Sequence, residues 1–363
     1  MRKTLLYLAI LAVLGAGVYY LLPGSKNEEL PFDPAEAGFT IKDTGSIGKI
    51  FLAAQDGESI TVERTANGWI VNKQYKALPG MLDLLLNTFV KQQPLYPVTK
   101  NAYENALKTM STHGVKVEVY DREGKKMRVF YVGGTAVNNT GTNMLMEGAS
   151  TPYVVEAPGF VGYLTPRYSS KMRDWRDRTV FDIPAEDIQS VSVQYADKPE
   201  NSFKVSRDNR DSVTVTADAK AMNSPDGLNR NRANMYLRFF GNINCEGYLN
   251  GLEDNDTTIK TAPKHSTVEV VTKKGDVQHI DIYWMALNKR SKNQKKSDID
   301  DMPEEYDSDR LYAIINNYKD TVMIQQLTFQ NILRKGADFY RKDVPRPKPN
   351  ATQTEIPASA ATR

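Results

Sequence analysis

Three histidines, one cysteine and 44 carboxylates are the material for acid–base, nucleophilic or metal chemistry in this 363-residue chain. His113, His265 and His279 stand far apart and no H-E-x-x-H occurs, so the i, i+4 pair that lets two imidazoles share a zinc is missing. There is no G-x-S-x-G elbow and no G-x-x-x-x-G-K-[ST] loop. Gly133-Gly134-Thr135 and Gly141-Thr142 follow a strand pattern with no helix after them, so no helix N-terminus is offered to a phosphate; the loop 132–144 reads as a surface contact at most. Lys289–Asp309 runs basic and then acidic. It lacks the glycine and the twelfth-position glutamate of a calcium loop in register, and reads as a solvated, partner-facing loop. Cys245 lies among Phe239, Phe240 and Ile243 and reads as a small buried hydrophobe. No catalytic, cofactor-binding or metal-binding residue is assigned, and no cofactor is expected.

One polar–aromatic stretch remains as a candidate, Met172–Phe181. Arg173, Trp175, Arg176, Asp177, Arg178 and Phe181 alternate charge around two large rings. They could form a partner-binding patch. They could equally clasp a joint, the rings packing and the Arg–Asp pairs holding the linker. The 19 tyrosines would suit a glycan-binding face if they were exposed together, but most fall in strand patterns, where tyrosine is common.

The elements that must position these residues follow from periodicity. Residues 47–52, 59–64 and 69–71 read as strands. Leu82, Leu85, Leu86 and Phe89 after Pro79 mark a helix, and so do Tyr103, Ala106, Leu107 and Met110 before Gly114. Val115, Val117 and Val119 alternate with Lys116 and Glu118, Asp121–Gly124 turns the chain, and Met127, Val129 and Tyr131 return: a hairpin with one apolar face. Residues 142–147 and 153–156 read as further strands, and 160–164 as a closing helical turn. The pattern then restarts. DIQSVSV (187–193) matches SIGKIFL (46–52), SFKVSR (202–207) matches SITVER (59–64), and VEVVTKKG (268–275) matches VEVYDREG (117–124). A helix over Ala233–Phe240 keeps its place, and residues 309–313 align with 142–146 at an offset of 167. The expected fold is α+β: two tandem copies of an antiparallel-sheet-plus-helix unit after a single N-terminal transmembrane helix.

That helix is read from Arg2 and Lys3 followed by the apolar run 4–22, long enough at ~1.5 Å per residue to cross a core of ~30 Å. It reads as an uncleaved inner-membrane anchor rather than a cleaved signal, because apolar residues continue past Gly15–Gly17. The bulk is then periplasmic, or at least outside the cytoplasm. The expected divisions are 1–24 anchor or signal, 25–40 spacer, 41–166 first repeat, 167–183 joint, 184–340 second repeat and 341–363 a disordered Pro/Ala/Thr-rich tail. A net charge of +3, with both signs interspersed, argues against nucleic acid as a partner, and a small-molecule ligand is not expected.

The run WRDRTVFDIPAED (175–187), following the strand PYVV (152–155), resembles domain-of-unknown-function family 4340. The resemblance spans most of residues 40–340. It implies a bacterial envelope protein with one N-terminal span, of a kind encoded beside ABC transporters of the gliding-motility type. It implies no catalytic residue. The function so indicated is a non-catalytic, membrane-anchored extracytoplasmic scaffold or adaptor for an envelope protein partner, possible alternatives being an envelope glycan or peptidoglycan-binding module and a hydrolase with an unrecognised site.

Overall fold

The computed structural model describes residues 37–341 except 138, 209, 253–254, 292–304 and 317. The anchor, most of the spacer, the tail and most of the Lys289–Asp309 loop lie outside the described residues. Among those residues no helix is long and apolar enough to cross a membrane. The chain divides into two compact units between Asp177 and Arg178.

The first unit is built on a nine-stranded antiparallel sheet. Its strands are β1 (Ile47–Ala54), β2 (Ser59–Thr65), β3 (Gly68–Val71), β4 (Tyr75–Lys76), β5 (Gln93–Pro97), β6 (Val115–Asp121), β7 (Lys126–Thr135), β8 (Thr142–Met146) and β9 (Tyr153–Glu156), in the order β4-β3-β2-β1-β6-β7-β8-β9-β5. Alternation does the sorting: Val115, Val117 and Val119 are buried while Lys116 and Glu118 between them face outward. On one face Leu52, Val62, Val117, Phe130, Val132 and Met144 pack under Leu82, Leu85 and Phe89 of helix α1 (Pro79–Lys91). Each such side chain is worth about 1.5–3 kcal/mol when fully buried. On the other face, Ala106 and Met110 of helix α2 (Lys100–His113) meet Ala136 and Val154. Gly114 ends α2 without a left-handed turn, at φ −75°. A glycine is needed there because a Cβ would lie 2.1 Å from the Met110 carbonyl oxygen.

The second unit holds an eight-stranded antiparallel sheet. Its strands are β11 (Ile188–Tyr195), β12 (Phe203–Arg207), β13 (Val213–Ala217), β15 (Gly247–Tyr248), β16 (Lys264–Thr272), β17 (Val277–Ala286), β18 (Tyr306–Ile315) and β19 (Asp320–Gln325), in the order β13-β12-β11-β16-β17-β18-β19-β15. A separate pair joins β10 (Thr179–Phe181) to β14 (Ile243–Asn244). Ala233, Tyr236 and Leu237 of a helix spanning Arg230–Leu237 cover the core with Phe203, Phe240 and Phe339.

The architecture is therefore α+β with large antiparallel sheets. In the first sheet Leu52 faces Val117; in the second Val193 faces Val268. Both hairpins turn on a glycine at positive φ, Gly124 at 84° and Gly275 at 90°.

Two expectations are corrected. Residues 160–164 form no helical turn; a 3-10 helix begins only at Thr165. The spacer ends before residue 40, since Phe39 is fully buried and its ring lies 5.9 Å from that of Phe130. Residues 167–183, expected as one joint segment, are shared out between the two cores: Tyr168 and Trp175 are core residues of the first unit, and Phe181 and Ile183 of the second.

Candidate functional site

The most distinctive surface of the first unit is built by two loops. The β7–β8 turn and the segment after β9 leave the sheet at the same end, because Thr142 at the start of β8 pairs with Val155 near the end of β9. The chain between them is pinned where it re-enters the fold. The Leu164 amide donates to Thr142 Oγ1 at 2.6 Å, and Thr165 Oγ1 donates to the Gly133 carbonyl at 2.7 Å. Leu164 and Tyr168 are fully buried, whereas Val161 is 97% exposed and Tyr163 49%. Gly159 and Gly162, at φ 82° and 130°, are the backbone that lets Phe160-Val161 swing outward and return. Arg167 supports the loop from below, its guanidinium 4.0 Å from the Phe160 ring centre and its Nη1 donating to Thr88 Oγ1 at 3.0 Å. On the neighbouring turn Val137 is 90% exposed. Phe160, Val161, Tyr163 and Val137 thus put apolar side chains at one end of the sheet, where burial against another molecule would be favourable.

The six residues singled out in the sequence are divided between the two units, Arg173, Trp175, Arg176 and Asp177 in the first and Arg178 and Phe181 in the second. Trp175 is fully buried and donates its indole N–H to the Ser169 carbonyl at 2.7 Å. The Trp175 carbonyl accepts from Leu78, and the Asp177 amide donates to Lys76, so this segment closes the first unit against the lead-in to α1. The Arg176 guanidinium lies 3.7 Å from the Tyr75 ring centre and is buried. Arg173 is half-buried on the single turn Met172–Trp175. Arg178 and Phe181 belong to the second unit. There the Arg178 carbonyl accepts from the Cys245 amide at 2.8 Å, and Phe181 packs edge-on against Phe240 at 5.1 Å. The spacing of these residues marks the boundary between two cores. Residues 160–164 read from the sequence as a closing helical turn, and no periodicity there marks Val161 or Tyr163 as exposed.

Polar clusters lie on the sheet faces. In the first unit Glu118 pairs with Lys116 at 2.8 Å and accepts from the Tyr120 hydroxyl. The hydrogen bond from Lys116, then that from Tyr120, hold the Glu118 carboxyl below its usual range against a smaller effect of burial. In the second unit Asp281 is buried and accepts from Lys264 Nζ at 2.7 Å and Thr267 Oγ1 at 2.8 Å, with His279 Nε2 at 3.2 Å and the Tyr318 hydroxyl a further 3.1 Å beyond it. Burial opposes the Asp281 charge, but the bonds from Lys264 and Thr267 and the nearby positive charge outweigh it, and its carboxyl stays below its usual range. Such a carboxylate is a poor base because its charge is already satisfied. His265 sits edge-on to Trp284 at 4.5 Å, and burial lowers its imidazole to about 4. Among the described residues no group of three or more His, Cys, Asp or Glu is placed to hold a metal ion. Asp307, read as solvated, is fully buried and accepts from the amides of Asp309 and Arg310.

The tryptophans do not offer a stacking platform. Trp175 and Trp284 are buried, and Trp69 lies under the Arg64 guanidinium at 4.5 Å. Among the described residues the exposed tyrosines are Tyr96 on β5, Tyr163 on the segment after β9 and Tyr318 on the β18–β19 turn.

No curated protein matches the chain. No solved structure matches it either. The family model described as "Domain of unknown function (DUF4340)" matches residues 98–264, a span that includes the run Trp175–Asp187 and crosses the boundary between the two units. Over that span, and not over the rest of the chain, the sequence is similar to this family.

Proposed function

We propose that the chain is a non-catalytic extracytoplasmic scaffold or adaptor. Residues 4–22 hold it in a bacterial inner membrane, and a duplicated α+β module is presented to a protein partner in an ABC-type transporter or motility-linked envelope complex. The observation that carries this reading is the apolar end of the first sheet, with Val161 97% and Val137 90% exposed beside Phe160 and Tyr163. Apolar side chains held out on braced loops lose their exposure to water only when another molecule covers them.

Duplication is supported by register. Both first strands carry a bulge two residues in, at Ile47/Lys49 and at Ile188/Ser190. Arg64 Nε donates to the Ile47 carbonyl and Arg207 Nε to that of Ile188, at 2.9 and 3.1 Å. Two independent folds would have no reason to share such details.

The test is affinity capture of the full chain from mildly solubilised membranes, beside the variant Val161→Ser/Tyr163→Ser. A defined envelope protein is expected with the parent chain, and at least tenfold less of it with the variant, whose thermal stability is expected to be unchanged because both side chains are exposed. Recovery of the chain alone as a free monomer overturns the reading.

A further inference from the structure

The two units differ at one corresponding place, the strand end where β1 meets the β6–β7 turn and β11 meets the β16–β17 turn. In the second unit Arg207 donates from Nε to the Ile188 carbonyl and from Nη2 to the Ala185 carbonyl, and its Nη1 lies 3.4 Å from the Asp211 carboxylate. Lys273, first residue of the hairpin turn, lies 2.8 Å from the same carboxylate. Asp211, in the β12–β13 turn, thus bridges two cations. Gln189 fills the remaining space and donates to the Arg207 carbonyl at 2.8 Å.

In the first unit the same two positions are again cationic. Arg64 donates to the Ile47 and Thr44 carbonyls, and Arg122, the residue in the place of Lys273, donates from Nε and Nη2 to the Gly45 carbonyl. The acid is absent. The β2–β3 turn is only Ala66-Asn67, and Gly48 stands where the second unit has Gln189. Neither arginine has an ion-pair partner among the described residues, and Nη1 of each makes no hydrogen bond there. Burial, and then the charge of Arg122, lower the Arg64 guanidinium, as expected of two like charges with no anion between them. Both line an open depression of ≈ 640 Å³ with Lys49, Glu63, Asp121 and Glu123. Asp121 is committed to the turn, accepting the amides of Glu123 and Lys125, and Glu63 faces Lys49 across the β1–β2 ladder.

We propose that the Arg64–Arg122 depression of the first unit binds a carboxylate from an acidic segment of a partner protein, in the place that Asp211 fills within the second unit. A carboxylate suits this place because guanidinium N–H groups match its two oxygens and the bond is charge-assisted. The inference rests on the scaffold reading only for the source of the carboxylate.

The full chain is titrated at low ionic strength with fluorescein-labelled tetra-aspartate amide, read by anisotropy, and separately with inorganic phosphate as competitor. One saturable site is expected. Arg122→Gln should weaken it tenfold or more, and Ala66→Asp, which returns an acid to the turn, should weaken it similarly. Asp211→Asn should raise the stoichiometry from one to two. Absence of saturable binding overturns the proposal, and so does binding indifferent to Arg122→Gln. Phosphate displacing the peptide at lower concentration than free aspartate, with the same dependence on Arg122, overturns the assignment to a protein carboxylate. Because the titration needs no partner, it fails or succeeds separately from the membrane capture.

Discussion

Among single residues, His265 has the clearest measurable consequence. Its imidazole is packed against Trp284 and near Tyr195, at ring-centre distances of 4.5 and 5.5 Å, and burial lowers it from 6.5 to about 4, with the Asp197 charge opposing weakly. The unfolded chain therefore takes up this proton near pH 6.5 while the folded chain refuses it until about pH 4. Stability contributed by the neutral ring is fully present above pH 6.5 and declines as pH falls toward 4, by at most about 3 kcal/mol. Urea midpoints of the full chain at pH 7, 5.5 and 4.5 should fall accordingly, and His265→Gln should flatten that fall. Asp281 acts in a lower window. Its carboxyl is held below the usual 3.8, so its contribution is present above that value and is lost only on further acidification, which keeps the two effects separable.

Among elements, the two hairpins show how turn chemistry and sheet register divide the work. Gly124 and Gly275 sit at φ 84° and 90° with open space around the position of a Cβ. Alanine at either should cost only the backbone strain, about 1–2 kcal/mol, and the two costs should agree. Gly48→Ala should cost more, since a Cβ there would lie 2.5 Å from the Asp121 carbonyl oxygen. Chemical denaturation of the three variants checks the ranking; equal effects at all three would contradict it. The last strands show a limit of pattern matching. The sequence aligns 309–313 with 142–146, yet Val132 faces Met144 while Ile282 faces Ala313, an offset of 169 rather than 167. A two-residue slip leaves every side chain on its own face, so alternation could not detect it.

At the scale of the molecule, two cores imply two cooperative transitions. Trp175 is buried in the first core and Phe181, six residues on, in the second. Trp175→Ala should lower the stability of the first unit by about 3–5 kcal/mol and leave the second close to unchanged, and Phe181→Ala should do the converse. Hydrogen exchange followed by mass spectrometry assigns each loss to residues 37–177 or 178–341. Loss of protection across both units from either substitution would show that the cores fold as one.

Much of the fold is legible in the sequence because its causes are local. Period-two alternation through Val115, Val117 and Val119, the spacing of Leu82, Leu85 and Phe89, and the turn glycines each act over a few residues. Tertiary structure decided what depends on distant neighbours. It divided the Arg173–Phe181 run between two cores, because a charge pattern does not say which ring meets which sheet. It turned Phe160 and Val161 outward, because their exposure follows from anchors at Thr142 and Gly133 far away in sequence. It left Arg64 and Arg122 without an acid while Asp211 answers Arg207 and Lys273, since only the folded turns bring those charges within reach.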